Sequence, residues 1–436
     1  MRKMFVSACL FAAMAFTACT TEVIYVDSDG NPVEHVDLKE GEGLLSVAVS
    51  STDVSTRDVR PVGSSAAANN VNVVKVYAFS ADAEEGTYYF DNTVGVKDGQ
   101  EGISGTEGII TITMGGTVSD YIPSIGSHIE ETEKITLTGL DPAKYYKFVA
   151  VGYNTTNPYG DLSPENGVTE LEEFTTTNIL TGYNVAELFA TQSAKATKGD
   201  VKNQGTLTLT RQVAGMLAYF KNVPATIDGK SVAAIRIYAN KSFTQFTYPA
   251  TGDFNGTTAG SGNDLLMEFI MAEISTGTDA DGYYTFNTLS KGSVSNNGSS
   301  NNGKAPVAKG YSMPTNLTLV ANSIFGGRYL IPYDQHYDTP SSSTLIVKLE
   351  DGEGSPLRTL KVTTDQTAGG VDKYAYDIRC NNFYSIGQKL KTETIDPDPE
   401  DPEDPDEPID LSSKSEIVVQ INDAWKVLHD MDVEED

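Results

Sequence analysis

The sequence predicts an all-β protein built from two β-sandwich domains, and three observations predict it. Apolar residues recur with a period of two in short β-branched and aromatic runs, while stripes at the 3.6-residue helical period are nearly absent. Clusters of Gly, Asn, Asp and Pro separate those runs, and the chain carries 39 Gly and 22 Tyr against a modest hydrophobic fraction of 39%. A length of 436 residues suits two domains, or three small ones, each large enough to bury its own core. No repeat at a fixed period is visible, which argues against a propeller or solenoid.

The N-terminus reads as an export signal. Arg2 and Lys3 form a positive start, "MFVSACLFAAMAF" is an apolar run too short to span as a mature helix, and "FTAC" ends in small residues before Cys19. Residues 1–19 resemble a bacterial lipoprotein signal with Cys19 as the lipidated residue, although Phe16 stands where Leu is usual. The alternative is an ordinary secretory signal with a stray cysteine. Beyond Cys19 only Cys380 remains, so no disulfide can form inside the mature domains and packing must supply their stability. The net charge of -29 argues against nucleic acid or an anionic membrane surface as a partner, since both would be repelled.

Residues 20–60 begin as a polar spacer, 20 to about 42, followed by "GLLSVAVSS", where Leu45, Val47 and Val49 alternate with Ser46, Ala48 and Ser50 as in a half-buried strand filling a sheet edge. The polar stretch "STRDVRPVGSSAAANN" after it reads as an exposed linker. In an N-terminal domain, 61–202, "VNVVKVYAFSAD" is apolar on nearly both faces and reads as a central strand. "KITLTGLDPAKYYKFVAVGYN" reads as strand, turn at Asp141-Pro142, and a second strand from Tyr145 to Val151. The stretch 176–200 is the best place for a short helix. A C-terminal domain, 203–394, holds long strands in "GTLTLTRQVAGMLAYFKNVP" and "SVAAIRIYAN", a hairpin in "TLIVKLED" and "PLRTLKVTT", a loop at 292–304, and a closing strand in "YAYDIRCNNFYSIGQKLKT". Residues 395–412 then change character. Between 396 and 410 stand nine acidic residues and five prolines with no basic residue, an extended tether reaching about 45 Å.

Chemistry is sparse. The four histidines, His35, His128, His336 and His429, fall in no metal-spacing motif, and no nucleophile elbow, P-loop or dinucleotide fingerprint appears. "DSDG" and "DADG" at 279–282 lack the ligand spacing of a calcium loop and read as turns. "YDQHYD" at 333–338 sets His336 between Asp334 and Asp338, but no second His or Cys cluster completes a site, so a surface loop is the better reading. No catalytic residue, metal ligand or cofactor is assigned, and no enzymatic activity is expected.

Two strands stand apart. In 413–436, Ile417, Val419, Ile421, Trp425 and Val427 share one phase broken only by Asp423, and eleven residues at about 3.3 Å each span roughly 36 Å. This tail could fold back on its own domain, yet a packing return needs no fifteen-residue extended spacer, so the strand reads as one delivered to a neighbour. Near the N-terminus, Arg57 and Arg60 follow "LLSVAVSS" in the polar linker, where a trypsin-like protease could cut. Such a cut would take away the membrane anchor together with Leu45, Val47 and Val49 and open an apolar groove.

In order along the chain, the "FTAC" lipobox, "STR" after "LLSVAVSS", "VNVVKVYAF", "LTLTRQVAGMLAYF", "CNNFYSIG" and the Asp/Pro tether leading to a Trp-containing end resemble the fimbrillin family, the lipoprotein pilins of Bacteroidetes-type (type V) fimbriae. The tether and "WKV" look closer to the minor-fimbria stalk subunits than to tip subunits. The resemblance implies two transthyretin-like β-sandwich domains and an outer-membrane lipoprotein precursor. It further implies maturation by an arginine-specific protease, and head-to-tail polymerisation into an extracellular fimbrium by donor-strand exchange, in support of adhesion. Two other readings stay open: a surface lipoprotein that binds glycans, and a membrane-retained fimbrial anchor subunit.

Overall fold

The computed structural model describes residues 23–26, 32–36, 38–49, 71–114, 132–160, 162–174, 176–178, 185–250, 252–254, 256–259, 262–288, 304–311, 319–335, 343–364, 374–387, 407–412 and 416–422. It is nearly all β. Helix is confined, among these residues, to the single turns Leu171–Phe174 and Met271–Ile274, so neither is long and apolar enough to cross a membrane.

Two large sheets carry the fold. In the first, the strands run in the spatial order Gly95–Val96, Thr132–Thr138, Gly43–Val49, Asn203–Arg211, Phe189–Gln192, Tyr145–Tyr153, Val73–Ala81, Ile109–Thr113 and Ile103–Thr106. The sheet curls so that Leu45, Val47, Ile135, Leu207 and Leu209 from one half meet Val74, Val76, Ile112 and Phe148 from the other in one core. Alternation explains the two faces of its central strands. Val74, Val76 and Ala78 point into that core, whereas Tyr77 and Phe79 point the other way and pack with Phe174 at ring distances of 4.8 and 5.1 Å. The expected central strand in "VNVVKVYAFSAD" is therefore buried on both sides.

The second sheet runs Leu265–Ile270, Ala234–Ala239, Leu345–Glu350, Pro356–Thr364, Glu416–Asn422, Phe383–Ile386, Ala214–Lys221 and Ser323–Leu330. The expected hairpin forms, with Leu345–Glu350 antiparallel to Pro356–Thr364. Its turn is held by the Asp351 carboxylate, which accepts from the Glu353 and Ser355 backbone N–H groups at 3.1 and 2.8 Å. "DADG" is likewise a turn: Asp279 Oδ1 accepts from Asp281 and Tyr283 N–H at 3.1 and 2.8 Å, and Gly282 supplies the positive φ of 85°.

Several expectations are corrected. Asn203–Arg211 belongs to the first sheet, so the chain passes to the second at Gln212-Val213 and not at 203. Leu207 and Leu209 alternate correctly for either sheet, and only their pairing partners decide. The described part of 176–200 holds no helix; Phe189–Gln192 pairs with Tyr145–Tyr153 and Asn203–Arg211 instead. Thr132–Thr138 and Tyr145–Tyr153 are not paired with each other, because the chain crosses between the two halves of the curl at 139–144, where Gly139 has φ 78°. The spacer ends before 42: Leu38 and Glu42 are buried against the first domain.

The junction between the sheets is short. Arg211 lies over the Phe189 ring, donates from Nε to Glu187 Oε1 at 2.9 Å and from Nη1 to Asn381 Oδ1 at 2.7 Å, and its side chain is only 2% exposed. Gln212 bridges Ala190 O at 3.1 Å and Ala250 N at 2.7 Å. Tyr159 meets Phe246 at 4.8 Å, and one core runs continuously from Phe79 to Val419.

Candidate functional site

The two strands singled out from the sequence each lie inside a large sheet, between one parallel and one antiparallel neighbour. Gly43–Val49, the early strand, lies inside the first sheet. It runs parallel to Asn203–Arg211, with Val47 opposite Leu207 and Val49 opposite Leu209, and antiparallel to Thr132–Thr138, with Leu45 opposite Ile135. The expectation of a half-buried edge strand is corrected on both counts. Leu45, Val47 and Val49 are buried as their phase requires, but Leu44 and Ala48 on the opposite face are also only 5% exposed. A strand with hydrogen-bonded neighbours on both sides has no free edge. Burying Leu44, Leu45, Val47 and Val49 at about 2 kcal/mol each contributes on the order of 8 kcal/mol before ordering costs.

The approach to this strand is clasped. Leu140 N donates to Gly41 O at 3.0 Å, and Lys39 N donates to Glu42 Oε2 at 2.9 Å. Lys202 Nζ donates to the carbonyls of Lys39 and Glu42, while Leu44 N donates back to Lys202 O at 2.7 Å. Lys97 Nζ completes the clasp 3.5 Å from Glu42 Oε2. Burial raises the Glu42 pKa, but the Lys39 N–H and the Lys97 charge outweigh it, so the carboxyl is held below its ordinary value. A side chain at Gly43 would meet Leu140 Cδ1 at 2.8 Å and Gln204 Cγ at 2.9 Å, so the strand begins where only glycine fits without a shift.

Glu416–Asn422, the tail strand, fills the equivalent place in the second sheet. It runs parallel to Pro356–Thr364, pairing Ile417 with Val362, and antiparallel to Phe383–Ile386, pairing Val419 with Ile386 and Ile421 with Tyr384. The expected phase is present: Ile417 and Val419 are each 1% exposed, Ile421 packs half-buried against the same core, and Val418 on the other face is 41% exposed. Trp425 and Val427 lie outside the described residues, as do Cys19, Arg57 and Arg60.

The tail strand sits in its own chain, and the end of the tether is laid on the domain rather than extended away from it. Ile409 and Asp410 pair with Phe220 and Lys221. Leu411 is fully buried, its N–H donates to Lys221 O at 3.0 Å, and its carbonyl accepts from Arg358 Nη1 at 2.8 Å. Asp410 accepts from Asn222 Nδ2 at 2.8 Å. Gly387 turns the chain with φ 81° where a Cβ would strike Tyr219 O at 2.6 Å. Ile409 and Leu411 were the signal in the sequence that the tether ends in docking residues.

The polar stretch at 333–335 packs against the loop at 377–378. Asp334 and Gln335 from "YDQHYD" sit beside Asp377, whose pKa is raised by burial and by the like charge of Asp334; His336 and Asp338 lie outside the described residues. Gln335 N donates to Asp377 Oδ1 at 3.1 Å, and Tyr333 N donates to Ile378 O at 2.8 Å, so this stretch ties two loops together. No group of three or more His, Cys, Asp or Glu placed to hold a metal occurs among the described residues. Burial pushes the Cys380 thiol up to about 12, away from nucleophilic use.

No protein-family model matches the chain, and no curated protein matches it. Among solved structures, it is similar to a proposed cell adhesion protein from Parabacteroides distasonis at 15% identity and TM-score 0.38, covering 87% of this chain and 97% of that one. It is also similar to a proposed cell adhesion protein from Bacteroides uniformis (10% identity, TM-score 0.32, 88% and 99% covered). A third such structure is a proposed adhesin from Bacteroides thetaiotaomicron (11% identity, TM-score 0.34, 89% and 98% covered).

Proposed function

We propose that the protein is a structural pilin subunit of the fimbrillin type, with two transthyretin-like domains, that supports adhesion at the cell surface. It reaches the outer membrane as a lipoprotein through Cys19, is cut by a trypsin-like arginine-specific protease after Arg57 or Arg60, and polymerises head to tail when the tail strand of one subunit enters the place of the early strand in the next. The carrying observation is the pair of strands singled out from the sequence: each lies between one parallel and one antiparallel neighbour, and each presents three apolar side chains at period two. Leu45, Val47 and Val49 thus have counterparts in Ile417, Val419 and Ile421. Backbone pairing on both edges would supply affinity, and the alternating pockets would supply register. A contact of this kind repeats without closing and yields a filament. Electron microscopy and N-terminal sequencing after mild trypsin treatment test the reading. Fibres whose subunits begin at Asp58 or Pro61 support it, and a cut protein that stays monomeric at all concentrations removes it. Fatty-acid labelling abolished by Cys19→Ala supports the lipoprotein precursor, and unchanged labelling refutes it.

The seated tail strand favours a second reading, in which the protein is a monomeric surface lipoprotein that binds glycans or other ligands and the tail closes its own second domain. In that case trypsin treatment yields no fibres, and the tail strand does not exchange between copies.

A further inference from the structure

We propose that cutting the chain between Val49 and Val71 does not itself release the early strand. The severed N-terminal piece stays seated as a noncovalent plug and leaves only when a second copy's strand displaces it, beginning at the Val49 end. This rests on the donor-strand reading of the same groove.

Among the described residues, every contact that holds the early strand joins residues 38–49, on the anchor side of such a cut, to the body of the protein beyond it. Leu38, Leu44, Leu45, Val47, Ala48 and Val49 are buried, with no more than 5% exposure each. Six residues from Gly43 to Ala48 pair with 132–137, and Leu45 to Val49 pair with 205–209. The clasp of Lys202, Lys97 and Leu140 on residues 39–42 lies further upstream still. Cleavage of a peptide bond beyond Val49 breaks none of these. It lowers only the effective concentration of the strand at its groove, while escape still requires the whole set of contacts to be lost together.

Displacement avoids that barrier, because an incoming strand can form pairs one residue at a time as the old strand gives them up. The two ends are unequal. The Gly43 end is clasped by side chains and carbonyls, whereas the described pairing at the other end stops with Val49 opposite Leu209, on the side where a cut releases the chain from the body. Invasion therefore starts in the pockets of Val49 and Val47 and finishes at Glu42. Until then the cut subunit remains attached to whatever its N-terminal piece is attached to, so cleavage licenses assembly without detaching the subunit.

The test uses the full chain with a site for a second sequence-specific protease inserted between Arg57 and Arg60, beside the unaltered chain treated with trypsin. After cleavage, native mass spectrometry and gel filtration should find piece and body together at one to one, and denaturant should part them. A body free of its piece directly after cleavage overturns the plug. A peptide of residues 413–427 should then expel a fluorescent piece, and the same peptide with Val419→Asp should do so roughly tenfold or more slowly, since it carries a carboxylate into an apolar pocket. Lys202→Met, which opens the clasp, should speed expulsion; an unchanged rate overturns the direction of exchange. A piece that stays but resists the unmodified peptide upholds retention and removes the donor-strand reading.

Discussion

Val419 and Val418 are adjacent in sequence and opposite in environment, which makes them a sensitive pair. Val419→Asp sets an unpaired carboxylate beside Ile386 and Thr364 in the second core, and should lower stability by about 3 kcal/mol or more. Val418→Asp on the exposed face should change it by less than about 0.5 kcal/mol. Denaturant unfolding of the two variants checks the phase, and equal losses would overturn it. Glu42 gives a second residue-scale expectation. Its pKa in the folded protein lies below the ordinary 4.5, so its contribution is fully present above that value and is lost as pH falls through the lower folded-state pKa. Amide exchange at Leu44 and Leu45 should accelerate in that acid range, and Glu42→Gln should flatten the pH dependence. An unaltered profile in the variant would show that another group governs the clasp.

The tail strand is an integral part of the second sheet in this chain, and the consequence of losing it changes accordingly. Deleting 411–436 removes Leu411, Ile417 and Val419 from the core and parts Pro356–Thr364 from Phe383–Ile386, so the second domain should unfold at lower temperature than the first. A peptide of residues 407–427 added in trans should restore it. A truncated protein with an unchanged melting profile would show that the strand contributes nothing at home. The phase of both lone strands was legible in the sequence, because a period of two fixes which side chains share a face whatever the strand pairs with. The double burial of Gly43–Val49 was not, since Ser46 and Ala48 are small enough to suit either solvent or a tight interior. Nor was the position of Asn203–Arg211 in the first sheet, because its Leu-Thr alternation satisfies both sheets equally. The composition of the tether predicted an extended chain, but extension says how far a strand can travel and nothing about where it docks. Ile409 and Leu411, two apolar residues at the end of an acidic run, carried that information.

Across the whole molecule the two sheets are coupled by Arg211, which reaches from the end of the first to Asn381, and by Gln212 beside it. Arg211→Ala removes the bonds to Glu187 and Asn381 and the packing on the Phe189 ring, and should cost about 2–3 kcal/mol. Calorimetry should record one transition for the parent and two for the variant, because the junction is then the weaker contact; a single transition in both would show that the continuous core alone couples the domains. The net charge of -29 acts at the same scale. Subunits of one sign repel, so any assembly should quicken between low and physiological salt as the Debye length shortens to about 8 Å.

The pairing of Gly43–Val49 with Asn203–Arg211 also governs when the chain can acquire its structure. Leu44 lies opposite Asn203, 159 residues later, and Ile409 lies opposite Phe220, 189 residues earlier. Neither sheet can be completed early: the first waits for residue 211 and the second for residue 422. Long-range parallel pairing of this sort must close large loops before it is rewarded, and it places a protein among the slow folders. A nascent chain therefore lacks a complete first sheet until nearly half of its length has been made and a complete second sheet until almost all of it has, and before then it is in the condition in which a polypeptide can be threaded through a narrow translocation pore.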